Sequence, residues 1–216
     1  LLPLATALAT EPPPPERVGP YRLGALLGRG GMGRVFRAER VDGVFEQSVA
    51  IKLMSRRVAS EALAAQFARE RQILADLQHP NIARLLDGGV TDDGQSYIVM
   101  ELLPGLPITQ YAAKHELALR DTVALFRPVC TAVAHAHAHL VVHADIKPSN
   151  VVVTEDARVR LLDFGVARVL GTAGGDPAGP AAPQSAPLGL TAAYASPARR
   201  RGEPASTVDD VYSLGV

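Results

Sequence analysis

The segment GRGGMG at 28–33 most narrows what this chain can be, because of what flanks it. YRLGALLG before it and RVFRAER after it read as short strands, and QSVAIKLM follows as a third. Glycines admit positive φ and close backbone approach, so the N–H groups around Gly28, Gly30 and Gly33 can cradle phosphates. A dinucleotide-binding crossover needs a helix directly after the third glycine. Here Arg34-Val35-Phe36 continues as strand, which excludes that fold. A purely structural hairpin turn stays open at this level.

Charge narrows the partners. The 216 residues hold 22 basic and 22 acidic side chains, so nothing in the net charge calls for nucleic acid or an anionic membrane. The hydrophobic share of 47% is that of a folded chain with a sizeable core. Cys130 is the single cysteine, which excludes an internal disulfide and points to a reducing, cytoplasmic setting. No apolar run reaches the roughly 18–20 residues that span a bilayer. Residues 1–20, with four consecutive prolines at 12–15, read as a polyproline-like leader outside the core. The start at Leu1 and the end inside the apolar VYSLGV read as those of a fragment.

Downstream the texture alternates. In SVAIKLM, strand periodicity puts Val49, Ile51 and Leu53 on one face, Ala50 and Lys52 on the other. Residues 59–77 read as a helix whose stripe, Leu63, Phe67, Leu74 and Leu77, is interrupted by Glu70. A carboxylate on an apolar face needs a partner, and Lys52 is the obvious one; Glu70 reaching solvent at the stripe's edge is the other reading. His79-Pro80-Asn81 ends that helix. Strands are expected around RLLDGGV and QSYIVMEL, and after Pro104-Gly105 the pattern turns helical, with 119–140 longest. Short strands follow near 151–153 and 158–162, a Gly/Ala/Pro-rich loop at 171–189, and a helix from about Asp209.

Two further constellations carry chemistry. VVHADIKPSNVVV sets Asp145, Lys147 and Asn150 within six residues, between β-branched runs. It can place a carboxylate, an ammonium and an amide around one transferring group, or be a polar turn between strands. In LLDFG, Asp163 closes an apolar strand; with Asn150 it offers hard oxygen ligands suited to Mg²⁺ and phosphate. His135, His137, His139 and His143 are read as packing or solvent-exposed residues, since only 135 and 139 share a helix face.

The order of these segments resembles the protein kinases, in particular bacterial serine/threonine kinases of the eukaryotic-like type. GRGGMGRV, VAIK at 49–52, Glu70, HPNI at 79–82, HADIKPSN, DFG at 163–165 and YASP before DVYSLG cover residues 21–216. The resemblance implies an α+β, two-lobed fold. An antiparallel β lobe with one helix spans about 21–101, and a mainly helical lobe, incomplete at its end, runs from about 105 to 216. It implies ATP between the lobes, its phosphates under Gly28, Gly30 and Gly33 and held by Lys52, which Glu70 orients. Val35, Ala50 and Val152 are the expected plates around adenine; Met100 lies behind them, with 101–103 (Glu101 to Leu103) as backbone hinge. Asn150 and Asp163 are the expected Mg²⁺ ligands, Asp145 the proton acceptor and Lys147 the γ-phosphate cation, with a Ser/Thr hydroxyl of a protein as substrate. A nucleotide-binding scaffold without transfer is the second reading.

Three features depart from the family pattern. Ala144 replaces the arginine of His-Arg-Asp, which removes the usual receiver of an activation-loop phosphate. Ala198 stands where a carboxylate usually anchors the segment after that loop. The chain ends where a central helix has just begun, at Asp210.

Overall fold

A computed structural model describes residues 13–30, 33–55, 77–163 and 192–216. Of the helix expected over 59–77, all but Leu77, which is not helical, lies outside the described residues, Glu70 included, as do the glycine-loop tip at 31–32 and the loop at 171–189.

The first lobe is one antiparallel sheet. It comprises β1 (Arg17–Val18), β2 (Tyr21–Gly30), β3 (Gly33–Arg40), β4 (Ser48–Met54), β5 (Leu85–Val90) and β6 (Ser96–Glu101). The spatial order is β1-β2-β3-β4-β6-β5. Alternation sorts its side chains as the sequence indicates. Phe36, Ala38, Val49, Ile51, Leu53, Tyr97 and Val99 share one core cluster. Val35, Lys52 and Ile98 stand in one cross-strand row on the other face, with Ala50 beside Met100. One boundary moves. Arg17 and Val18 pair with β2, and Val18 is 1% exposed in the core, so the sheet begins inside the expected leader.

The second lobe opens with a strand rather than a helix. β7 (Gly105–Pro107) pairs with β8 (Val151–Thr154), which pairs with β9 (Val159–Leu161). The reason is contact distance. A Cβ at Gly105 would lie 2.5 Å from the Val153 carbonyl oxygen, so only glycine lets the chain pass this close. The helices are α1 (Ile108–Lys114), α2 (Leu119–Ala138), α3 (Pro197–Arg200) and α4 (Thr207–Gly215). On α2, Val129, Ala132, Val133 and Ala136 form the buried stripe and meet Ile146, Val151 and Leu161. α4 starts two residues before Asp209 because Ser206 caps it, in a reciprocal box with the Asp209 side chain. The molecule is thus α+β: a sheet lobe, then a lobe of helices around a small sheet. Among the described residues no helix is long and apolar enough to cross a membrane.

Candidate active site

Two clusters of polar side chains make up the site, the first of them bridging the lobes. Lys52, held in the middle of β4, sends Nζ to within 2.8 Å of Asp163 Oδ2. Its own strand neighbours are apolar, and its side chain is 8% exposed. A bare ammonium there would be costly, so the carboxylate is its compensation. Glu70, the partner expected from the sequence, lies outside the described residues. The other oxygen of Asp163, Oδ1, is buried with no hydrogen-bond partner among the described residues.

The second cluster sits in the turn between α2 and β8. Lys147 Nζ is 2.7 Å from Asp145 Oδ2. Asn150 donates through Nδ2 to the Asp145 backbone oxygen at 2.8 Å and to its Oδ2 at 3.2 Å. That fixes which end of the amide is which and leaves its oxygen as the atom for a cation. Pro148–Asn150 form a single 3₁₀ turn, which brings the three side chains together.

Leu162 joins the clusters. Its N–H donates to the Asn150 carbonyl at 2.8 Å, and its carbonyl accepts from His143 Nε2 at 2.8 Å. The residue before Asp163 is therefore pinned on both sides to the loop that carries Asp145. His143 is fully buried, and its Nδ1 accepts the Asp145 N–H at 3.2 Å, which sets the tautomer with the proton on Nε2.

Asp210, at the start of α4, is the residue sequence reading undervalued. Its Oδ2 accepts the His143 N–H and the His137 Nε2–H, and its Oδ1 accepts the Ala144 N–H, all at 2.8 Å. It is 1% exposed. A buried carboxylate with three donors is a fixed post, and it holds Ala144 at φ 67° just ahead of Asp145. A second acid directly after the capping Asp209, in the first turns of a helix, was the available signal.

The glycine-rich hairpin is only partly dictated by the fold. Gly33 has φ 145°, and a Cβ there would sit 2.1 Å from the Leu53 carbonyl oxygen, so it is structural. Among the described residues Gly28 and Gly30 would meet nothing within 4 Å, which leaves space beside them. Gly28 pairs with Val35, next to Lys52, so this space borders the Lys52 face of the sheet. Ala50 and Val152 are buried, Met100 and Leu103 partly so, and Glu101 ends β6. Among the described residues no three His, Cys, Asp or Glu side chains come together as a metal-holding group; His137 and His143 serve the loop as described, and His135 stacks between His79 and His139.

The protein kinase domain family matches residues 21–216. The chain is 32% identical over 198 residues to the probable serine/threonine-protein kinase PknB of Lactococcus lactis, covering 91% of this chain and 30% of that protein. It is 33% identical over 200 residues to the serine/threonine-protein kinase PrkC of Bacillus subtilis, covering 92% and 29%. With PknA of Mycobacterium tuberculosis the identity is 35% over 204 residues, covering 92% and 45%. The chain thus spans less than half the length of these relatives. Among solved structures, the kinase domain of M. tuberculosis PknI superposes with a TM-score of 0.65 at 29% identity, covering 90% of this chain and 69% of that one.

Proposed function

Because the chain belongs to the protein kinase family, we propose that it is an ATP- and Mg²⁺-dependent protein serine/threonine kinase, with residues 21–216 as its kinase domain. The observation that carries this is the pinning of Leu162, which sets the Lys52–Asp163 pair against the Asp145–Lys147–Asn150 cluster. ATP lies between the lobes. Its adenine rests among Val35, Ala50, Met100 and Val152 and meets the 101–103 backbone; its phosphates lie under Gly28, Gly30 and Gly33 beside Lys52. The donor set fits Mg²⁺: Asp163 has a buried unpartnered oxygen, and Asn150 an amide oxygen turned out by its Nδ2 bonds. When bound, the metal supplies charge neutralisation along the phosphates.

The substrate hydroxyl oxygen attacks the γ-phosphorus, the bond to the β,γ-bridging oxygen breaks, and ADP leaves. Asp145 accepts the hydroxyl proton, and Lys147 neutralises charge on the moving phosphoryl group. A lysine two residues after the acid favours Ser and Thr over Tyr as acceptors, as the names of the relatives do for those proteins. A cytoplasmic protein as substrate goes with this reading, since ATP and the lone Cys130 both suit that compartment.

The test is label transfer from γ-labelled ATP with Mg²⁺ to a generic Ser/Thr substrate, alongside nucleotide binding. Label on serine or threonine supports the proposal. Nucleotide binding without transfer replaces it by the scaffold reading, and neither binding nor transfer overturns both.

A further inference from the structure

Residues 79–84 form a strap from one lobe to the other, turning at Pro80-Asn81, where Ile82 N–H donates to the His79 carbonyl at 3.0 Å, before passing along β9. On one side they follow β9: Leu161 N–H donates to the Asn81 carbonyl at 2.8 Å, Ala83 N–H to the Leu161 carbonyl at 2.9 Å, and Asn81 Nδ2 to the Val159 carbonyl at 2.8 Å. At its far end the strap meets the last residue of β6. Glu101 N–H donates to the Arg84 carbonyl at 3.1 Å, and Arg84 N–H returns a bond to Glu101 Oε1 at 2.8 Å. Arg160 closes the figure. Its guanidinium is 3.3 Å from Glu101 Oε1 and donates to the Ile82 carbonyl at 3.2 Å. Both side chains are about four-fifths buried, at 19% and 22% exposure.

The two ends of this pair belong to the two walls of the cleft. Glu101 sits where the sheet lobe passes into the 101–103 segment. Arg160 stands opposite Val152 in the β8–β9 register, three residues before Asp163. Breaking the pair leaves the core of each lobe untouched, since neither side chain belongs to the clusters around Ile51 and Val99 or around Val129 and Leu161. What it changes is the distance between the walls.

We propose that Glu101 and Arg160 form a positioning pair that sets the spacing between the adenine-facing segment and the strand leading to Asp163, and through it the affinity for nucleotide. This rests on the kinase reading. Loss of the pair acts on ADP and ATP alike, because it acts on the adenine walls rather than on the phosphates, and it raises KM for ATP more than it lowers kcat.

The experiment measures ADP and Mg-ATP affinity, KM and kcat, and melting temperature for the full protein and for Glu101→Gln, Arg160→Gln, Arg160→Lys and the double glutamine variant. Each single glutamine variant is expected to weaken both nucleotides about three- to tenfold, the double variant no further, and Arg160→Lys to recover most of the loss. Unchanged affinity in the singles, additive losses in the double, or a loss that merely tracks the melting temperature would overturn the pair while leaving the kinase reading in place. A wild type that binds no nucleotide overturns both.

Discussion

Asp145 and Asp163 are both carboxylates of the proposed site, yet their surroundings differ. Asp145 is bonded by Lys147 and Asn150, side chains of its own loop, and in the proposed reaction accepts the hydroxyl proton. Asp163 is bonded by Lys52 through one oxygen and keeps the other free among the described residues. Asp145→Asn is therefore expected to reduce phosphoryl transfer by about a hundredfold or more while nucleotide affinity stays within about twofold, since a base acts in chemistry and not in ground-state binding. Radiolabel transfer and calorimetric ADP binding read the two quantities, and undiminished transfer would take Asp145 out of its role. Asp163→Asn is expected to act on binding. The gain in ATP affinity on adding Mg²⁺ should shrink, and an equal gain in both proteins would exclude Asp163 as a ligand. Both residues were legible in the sequence because each lies in a contiguous string, HADIKPSN or LLDFG. Asp210 and Arg160 were not, because their partners are far away in sequence: Asp210 meets His137, 73 residues off, and Arg160 meets Glu101.

At the level of elements, the end of α2 carries a strain that its sequence can relieve. Val141 N–H bonds the Ala136 carbonyl at 2.9 Å and Leu140 N–H the His137 carbonyl at 3.0 Å, the paired closure that ends a helix on a left-handed residue. Glycine usually fills that position. Here it is Leu140, at φ 59° and 85% exposed. A left-handed leucine costs about 1–2 kcal/mol. Leu140→Gly is expected to raise the melting temperature by about 2–4 °C, the yield of about 1 kcal/mol in a domain of this size; a lower melting temperature would mean that the leucine side chain holds a contact worth more than its strain.

The same helix packs His135 between His139 and His79, and His79 Nδ1 accepts the Asn81 N–H at 3.1 Å. Burial pushes the His79 imidazole below its ordinary value, and His135 adds to this. Above about pH 6.5 His79 is neutral whether the chain is folded or not, so it costs nothing there. Below it the unfolded chain takes up the proton first, and stability falls until the lower folded value is passed. Thermal melts from about pH 7.5 to 5.5 should therefore decline less steeply for His79→Gln than for the wild type; equal slopes would show that other groups carry the decline. The helix was read at 119–140 and the strands at 151–153 and 158–162, close to what is observed, because their apolar periods are clean. β1 and β7 were missed, being short strands beside prolines whose pairing is decided by distant backbone.

For the whole molecule, the open matter is how the two lobes are brought to an active arrangement. In the family pattern an arginine ahead of the proton acceptor receives a phosphate from the activation loop, and the pairing of about −1.5 to −2 charges with arginine orders that loop. Ala144 presents only a methyl group at this place. The backbone it would position is already held, since the Asp210 carboxylate accepts the N–H of His143 and of Ala144 and the His137 ring. The arrangement around Asp145 thus needs no phosphate to hold it. Activity is expected to be independent of phosphorylation at Thr172 and Ser185, the two acceptors in the 171–189 stretch of the sequence. The measurement compares the transfer rate of untreated and phosphatase-treated protein with that of Thr172→Ala/Ser185→Ala and of Ala144→Arg. Rates equal within about twofold for the first three are expected, with phosphate dependence appearing only once Ala144→Arg supplies a receiver. A large loss on dephosphorylation or in the double alanine variant would overturn this, and would direct attention to Arg199. Arg201 is paired with Glu203 at 2.7 Å, whereas Arg199 donates to the Glu203 carbonyl and keeps a buried Nε without a hydrogen-bond partner among the described residues. Arg199→Gln would then abolish the dependence, as a receiver of the phosphate must.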